Sequence, residues 1–260
     1  MGNKTSIKGK ITMNTPQKTV LITGANQGIG FEAARQLLEL GYFVYLGVRD
    51  EEKGKEAVKQ LKEDLGHQSV DYLIIDIRDI DSVINAKNQL ASKIPYLDAL
   101  VNNAGIAGGG PPQDASTVSI DLIKEVFETN FYGTIRTTQQ FLELLLKAPQ
   151  PRVVNVSSDM GSLTYHSNPN YKHYNEKIMA YCSSKTAINS FTVMLAYEFR
   201  DTPKFKVNSI SPGLTSTHLT HFRAGNTVDV GASPIVKYVT IGPDGPTGKF
   251  FEETGNEAPW

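Results

Sequence analysis

Tyr181 and Lys185 stand four positions apart in the run 180–199, whose composition predicts one long helix. Four residues is just over one helical turn, so the phenol and the ammonium share a face and can reach one ligand. A free phenol has a pKa of about 10, and a fixed positive charge beside it favours phenolate, so such a pair can do acid chemistry near neutrality. The same spacing also fits a helix surface with a solvated lysine. The stretches upstream must decide between the two.

The first of these is Gly24-Ala25-Asn26-Gln27-Gly28-Ile29-Gly30. It follows Thr19–Thr23, a β-branched run suited to a fully buried strand, and enters a helix with apolar positions Ile29, Ala33, Leu37 and Leu40 and a stop at Gly41. Strand, glycine turn and helix start together make an anion site, where backbone N–H groups and the helix dipole face a phosphate. The glycines fall as Gly-x-x-x-Gly-x-Gly rather than Gly-x-Gly-x-x-Gly, so a turn needed only for packing stays open. Phe43–Val48 predicts the second strand and ends in Arg49-Asp50. In dinucleotide folds an acid at this strand end bonds the ribose 2′-hydroxyl, whereas an arginine accommodates a 2′-phosphate. Val48 and Arg49 therefore point to NADPH over NADH, unless Arg49 merely pairs with Asp50 or Glu52 at the surface.

The elements that must position these residues alternate regularly. A charged amphipathic helix over 51–65, a strand over 72–75 ending at Asp76-Ile77, a helix over 80–93 and a strand over 99–101 opening into Asn102-Asn103-Ala104-Gly105 are predicted in turn. This rhythm specifies an α/β fold: a doubly wound parallel sheet (Rossmann fold) in three αβα layers, with ligands at the carboxyl ends of its strands. The Gly- and Pro-rich stretch 108–112 reads as a loop, and no repeat is present.

Composition narrows the class further. The chain has 260 residues, 40% hydrophobic and 20% charged, with a net charge of -1, enough for a full core but without the basic excess that nucleic acid or an anionic membrane would call for. One domain over 19–260 is expected, preceded by a polar, mobile tail over 1–18. The single cysteine, Cys182, cannot form an internal disulfide, and neither a leader nor a membrane-length apolar run is seen, so a cytoplasmic protein is expected. His166 and His173 lack further ligands at sensible spacing, so no metal is expected. A Gly-x-Ser-x-Gly elbow is also missing around Ser158, which sits in Val-Ser-Ser-Asp-Met-Gly.

Taken together, these residues resemble the short-chain dehydrogenase/reductase family over 19–251. Thr23-Gly24-x-x-x-Gly28-Ile29-Gly30 resembles its cofactor loop, which includes Asn26 and Gln27; Asp76 resembles its adenine-contacting acid, with Ile77 beside it; and Asn102-Asn103-Ala104-Gly105 resembles its sheet motif. Asn130 in Thr-Asn-Phe-Tyr-Gly matches the helix asparagine, Ser158 the catalytic serine, and Tyr181 and Lys185 complete the tetrad. Pro212-Gly213, with Thr215 and Thr217, matches the stretch that closes over the nicotinamide. Gly-Val-Arg-Asp and Gly-Pro-Thr-Gly-Lys-Phe-Phe look most like the carbonyl reductase branch, which uses NADPH on ketones and aldehydes. Gln27 stands where many NADPH-preferring relatives carry a basic side chain, which leaves phosphate recognition to Arg49.

The resemblance implies a reductase in which Ser158 holds the carbonyl and Tyr181 delivers a proton. Lys185 would lower the phenol pKa and bind the nicotinamide ribose, and Asn130 would hold a water that relays protons to Lys185. A secondary-alcohol or hydroxysteroid dehydrogenase running in the oxidative direction, and a non-catalytic NADP(H)-sensing or scaffold protein, are the alternatives. The segments after Ala107, over 163–179 and over 218–230 should shape the substrate site, with Tyr165, His166, Tyr171, His173 and Tyr174 as a lid surface. The partner expected is a small carbonyl compound. Monomer and homo-oligomer both stay open.

Overall fold

The computed structural model describes residues 17–66, 68–109, 113–202 and 204–260. Residues 1–16 of the expected tail, and Gly110, Pro111 and Pro112 of the expected loop, lie outside the described residues. The last tail residues belong to the body. Gln17 donates from Nε2 to Gly41 O at 3.1 Å and to Ser69 Oγ at 2.9 Å, and Lys18 O accepts from Phe43 N at 2.8 Å.

Strands β1 (Thr19–Thr23), β2 (Phe43–Val48), β3 (Val70–Ile74), β4 (Ala99–Asn102), β5 (Arg152–Val156), β6 (Lys206–Ile210) and β7 (Lys249–Phe251) form one seven-stranded sheet. Every pairing is parallel, in the order β3-β2-β1-β4-β5-β6-β7. Alternation along β1 creates two cores. Val20 and Ile22 pack with Leu37 of α1 (Gly28–Glu39), Leu61 of α2 (Glu51–Leu65) and Ile235 of α8 (Val228–Thr240). Leu21 faces the other way, toward Leu90 of α3 (Ile80–Ala91), Phe141 of α5 (Gly133–Leu146) and Leu195 of α7 (Met179–Glu198). A strand buried on both faces explains the unbroken apolar run in its sequence. Three αβα layers are the result, as expected; the short helix α6 (Leu163–His166) precedes α7.

Two details differ from the sequence reading. Leu40 is 58% exposed rather than buried, because α1 ends at Glu39 and the chain turns away at Gly41, whose φ is +84°. Between α4 (Ile120–Phe127) and α5, the helix carries a π turn at Glu128–Tyr132, which contains Asn130. Such a turn inserts one residue into the helical register and re-aims its side chains.

Topology places the site. From β1 the chain steps outward to β2 and β3, then returns to β4 on the other side of β1. The loops after β1 and β4 therefore run in opposite directions and leave a crevice at the strands' carboxyl ends. No helix among the described residues is long and apolar enough to cross a membrane.

Candidate active site

A cavity of about 260 Å³ fills this crevice. Gly24, Asn26, Gln27, Gly28, Ile29, Gly30, Arg49, Asp76, Ile77, Asn103, Ala104, Gly105 and Thr217 all line it. The glycine loop is seated directly on the end of β4. A Cβ on Gly24 would stand 2.9 Å from Ala104 Cα, and one on Gly30 would stand 2.8 Å from Gly24 O and 2.5 Å from Asn103 Nδ2. Asn103 is the strut of this contact: its Nδ2 donates to Thr23 O at 2.9 Å and Gly24 O at 3.1 Å, and its N–H donates to Thr23 Oγ1 at 3.0 Å. Its amide is thus spent on holding the loop. Gln27 precedes α1 without capping it by its side chain, and the first turn carries no acid, so the first-turn N–H groups keep their anion-binding capacity. The close backbone approach and the uncapped helix start fit the pyrophosphate of a dinucleotide.

Arg49 reaches the rim of this cavity from the end of β2 and forms no ion pair among the described residues. The surface alternatives are taken by others: Asp50 caps α2 by accepting from Lys53 N at 3.0 Å, and Glu52 pairs with Lys55 at 2.8 Å. A second guanidinium, unnoticed in the sequence, lines the same cavity. Arg78 grips Asp76 with both prongs, Nε to Oδ1 at 3.1 Å and Nη2 to Oδ2 at 2.8 Å. That fork holds the Asp76 carboxyl below its usual pKa. The only signal in the sequence was a basic residue two positions beyond the strand-end acid.

The polar group of interest lies at the ends of β5 and α7. Ser158 caps the turn Asp159–Gly161 by accepting from Met160 N at 3.2 Å. A Cβ on Gly161 would stand 2.8 Å from the Lys185 carbonyl carbon, so this glycine lets the turn lie directly on α7. Tyr181 sits in the first turn of α7 and Lys185 one turn later. Ser158 and Tyr181 line a second cavity of about 150 Å³ together with Pro212, Gly213, Thr215 and Thr217. Ile29, Thr217 and Leu219 line both cavities, which therefore adjoin.

Lys185 is 4% exposed and lies behind the cavities, its Nζ donating to Val156 O at 2.8 Å and standing 5.4 Å from the centre of the Tyr181 ring. Burial pulls its pKa down to about 8. Burial pushes the Tyr181 phenol up well beyond its usual value; Ser158 draws it partly back, and Asp159 and Cys182 push it further up. The lowering expected from Lys185 is not seen; burial governs the phenol, because a low-dielectric setting penalises phenolate.

Asn130 is fully buried and engaged: Oδ1 accepts from Ile106 N at 2.8 Å, and Nδ2 donates to Ile106 O at 2.9 Å and Ser184 Oγ at 3.0 Å. Both amide hydrogens are spent, so the side chain braces the loop after β4 against α7. An ideal Cβ on Gly105 would stand 3.2 Å from Asn130 Oδ1 and 3.6 Å from Lys185 Nζ, which puts both behind the same stretch of cavity floor.

The segment over 163–179 only partly meets its expected role. Tyr165 and Tyr171 stack at 5.0 Å, His166 meets Tyr171 edge-on at 5.5 Å, and the Tyr165 hydroxyl bonds Glu252. These aromatics pack on the body of the protein; Tyr174 lies under the Lys177 ammonium at 4.2 Å. Of the five expected lid residues, only His173 lines the second cavity, joined by Glu176 and Ile178. Glu176 crosses the mouth to Arg223 at 2.9 Å and 3.1 Å and meets His173 at 3.0 Å. Arg223 holds the Glu176 carboxyl down to about 2. Nothing in the sequence points to this pairing, since its partners are 47 residues apart. Among the described residues, no group of three or more His, Cys, Asp or Glu is arranged to hold a metal ion.

Residues 18–226 match the family model described as short chain dehydrogenase. Salutaridine reductase of Papaver bracteatum is 30% identical, over 92% of this chain and 95% of its own length. The (+)-neomenthol dehydrogenase of Capsicum annuum is 31% identical, over 91% of this chain and 96% of its own. A solved short chain dehydrogenase from Shigella flexneri 2a str. 301, complexed with NADP, superposes with a TM-score of 0.78 at 27% identity, over 91% of this chain and 97% of that one. The chain therefore belongs to the short-chain dehydrogenase/reductase family, in its carbonyl reductase branch, as an oxidoreductase.

Proposed function

We propose that this protein is an NADPH-dependent reductase of ketones and aldehydes, reversible toward alcohol oxidation, with Tyr181 as its acid and base. The observation that carries this reading is the meeting of the Ser158 hydroxyl and the Tyr181 phenol on one cavity wall, where that cavity joins the glycine-loop crevice. The glycine loop and the start of α1 would hold the pyrophosphate. Arg49 would take the 2′-phosphate, Asp76 and Ile77 the adenine, and Asn103, Ala104, Gly105, Pro212, Gly213, Thr215 and Thr217 the nicotinamide half. Bound there, NADPH supplies the hydride.

Each side chain then has a task set by charge. A carbonyl under reduction gathers negative charge on oxygen, which the Ser158 hydroxyl stabilises by donating a hydrogen bond. Tyr181 delivers the proton that completes the alcohol. Its burial keeps the phenol protonated at neutral pH, which suits reduction, whereas oxidation needs the phenolate and is favoured in alkali. Lys185 places a buried ammonium behind the phenol, where it stabilises the phenolate left after proton delivery and would hold the nicotinamide ribose. Asn130 fixes the floor on which this happens. Residues 19–260 would act as one catalytic unit, a reading supported by β7 extending the sheet that begins at β1.

The test is cofactor consumption by the purified protein against a panel of aldehydes, ketones, quinones and cyclic terpenoid ketones, with salutaridine and, for the reverse direction, neomenthol. NADPH should be consumed in step with carbonyl loss, and NADH more slowly. Absence of turnover with either cofactor across the panel overturns the proposal.

A further inference from the structure

Asp159 follows Ser158 directly and is 5% exposed. Its Oδ1 lies 3.3 Å from Ser158 Oγ and 3.4 Å from Ser211 Oγ, and accepts from Met160 N at 3.1 Å. Ser158 Oγ accepts from Met160 N, and its single proton lies within reach of Asp159 Oδ1 until a substrate oxygen takes it. The other oxygen, Oδ2, is buried without a hydrogen-bond partner among the described residues. Lys172 Nζ stands 3.6 Å from it and 3.5 Å from Glu253. Three distant parts of the chain thus meet behind the smaller cavity: the turn after β5, the segment before α7, and the residues after β7.

A buried carboxylate is costly; here it is met by the Lys172 ammonium at 3.6 Å and by the neighbouring Tyr171, and the turn is already capped by Ser158, so capping does not account for it. Asp159 lines the same cavity as Ser158 and Tyr181, so its charge faces the reacting groups. A carboxylate beside Tyr181 disfavours phenolate, and a neighbouring ammonium offsets that effect. Asp159 adds to the upward push that burial gives the Tyr181 phenol. Burial works against the Lys172 ammonium, yet Asp159 and Glu253 hold its pKa above the usual value. The other titratable groups that feel Asp159 are Tyr165, His166 and Tyr171 from the segment before α7, and Cys182 from α7 itself. Burial raises the tyrosines and Cys182 and lowers His166, so all four are uncharged at neutral pH. Lys172 is the cation set against the carboxylate.

We propose that Asp159 is a positioning residue: its carboxylate orients the Ser158 hydroxyl until a substrate oxygen takes that proton, and together with Lys172 it sets the charge that faces Tyr181 across the shared cavity wall. The inference rests on Tyr181 being the acid. The segment carrying Lys172 thereby sets the pH range over which the site works, as well as contributing His173, Glu176 and Ile178 to the cavity wall.

The experiment is the pH profile of kcat, in both directions, for the full chain with its cofactor, as wild type, Asp159→Asn and Lys172→Met. Removing the carboxylate should move the alkaline midpoint to lower pH by roughly half a unit to one unit, and removing the ammonium should move it to higher pH by a similar or smaller amount. Shifts of opposite sign are what a merely structural role would not produce. Midpoints that coincide with wild type, or that move in the same direction, overturn the proposal. Should Asp159→Asn fail to fold, the sign of the Lys172→Met shift decides alone. Tyr181→Phe serves as the control: if it stays active, the acid assignment fails, whereas if it is inactive and the midpoints stay put, only the role of Asp159 fails.

Discussion

Two guanidinium groups stand at the rim of the larger cavity, and their surroundings give them different work. Arg78 spends its fork on Asp76, while Arg49 pairs with no acid among the described residues and can turn to a ligand phosphate. Arg49→Ala should therefore weaken NADPH binding by about ten- to a hundredfold, the equivalent of roughly 1.5 to 3 kcal/mol for a charge-assisted bond, with NADH nearly unchanged. Fluorescence titration with both cofactors checks this; equal losses for the two would contradict it. Arg49 was legible because a strand end is a marked position in this fold. Arg78 was not, because nothing in the sequence shows that an arginine two residues past an acid will curl back on it while still facing the cavity. Tyr181 and Lys185 were legible as a pair, but the balance of their proton affinities depends on burial, which spacing does not reveal.

Among the elements, strands and helices with strong periodicity were readable to within a residue or two, as β1, β2 and α2 show. The π turn at Glu128–Tyr132 was invisible, since it shifts the register by one residue inside an otherwise continuous helix. The segment before α7 was misjudged in its detail: its tyrosines suggested a substrate surface, but stacking on one another and bonding Glu252 turn them inward. What it offers the cavity is His173, Glu176 and Ile178, fastened by the ion pair to Arg223. The Glu176 carboxyl, held down to about 2, contributes stability that is present above its ordinary pKa of about 4.5 and lost as the pH falls toward 2. Partial exposure limits that contribution to about 1 kcal/mol or less. In urea unfolding, Glu176→Gln should be less stable than wild type at pH 6, and the gap should narrow by pH 3.5. A gap that is constant with pH would show that the pair is an idle surface contact.

Across the whole molecule, every strand of the sheet points the same way, so seven carboxyl ends converge on one edge. That much follows from alternating strands and helices. The segments after Ala107, over 163–179 and over 218–230 were singled out in the sequence and all three line the smaller cavity, but the Glu176–Arg223 pair that links two of them was not readable, because such an encounter is set by packing. The proposed chemistry turns on Tyr181 supplying the proton from its place on the wall of the smaller cavity. The most direct test is the turnover of Tyr181→Phe, measured beside its circular dichroism and its NADPH affinity. Turnover should fall by at least about a hundredfold, with fold and cofactor binding close to wild type; a variant that keeps wild-type turnover would contradict the account.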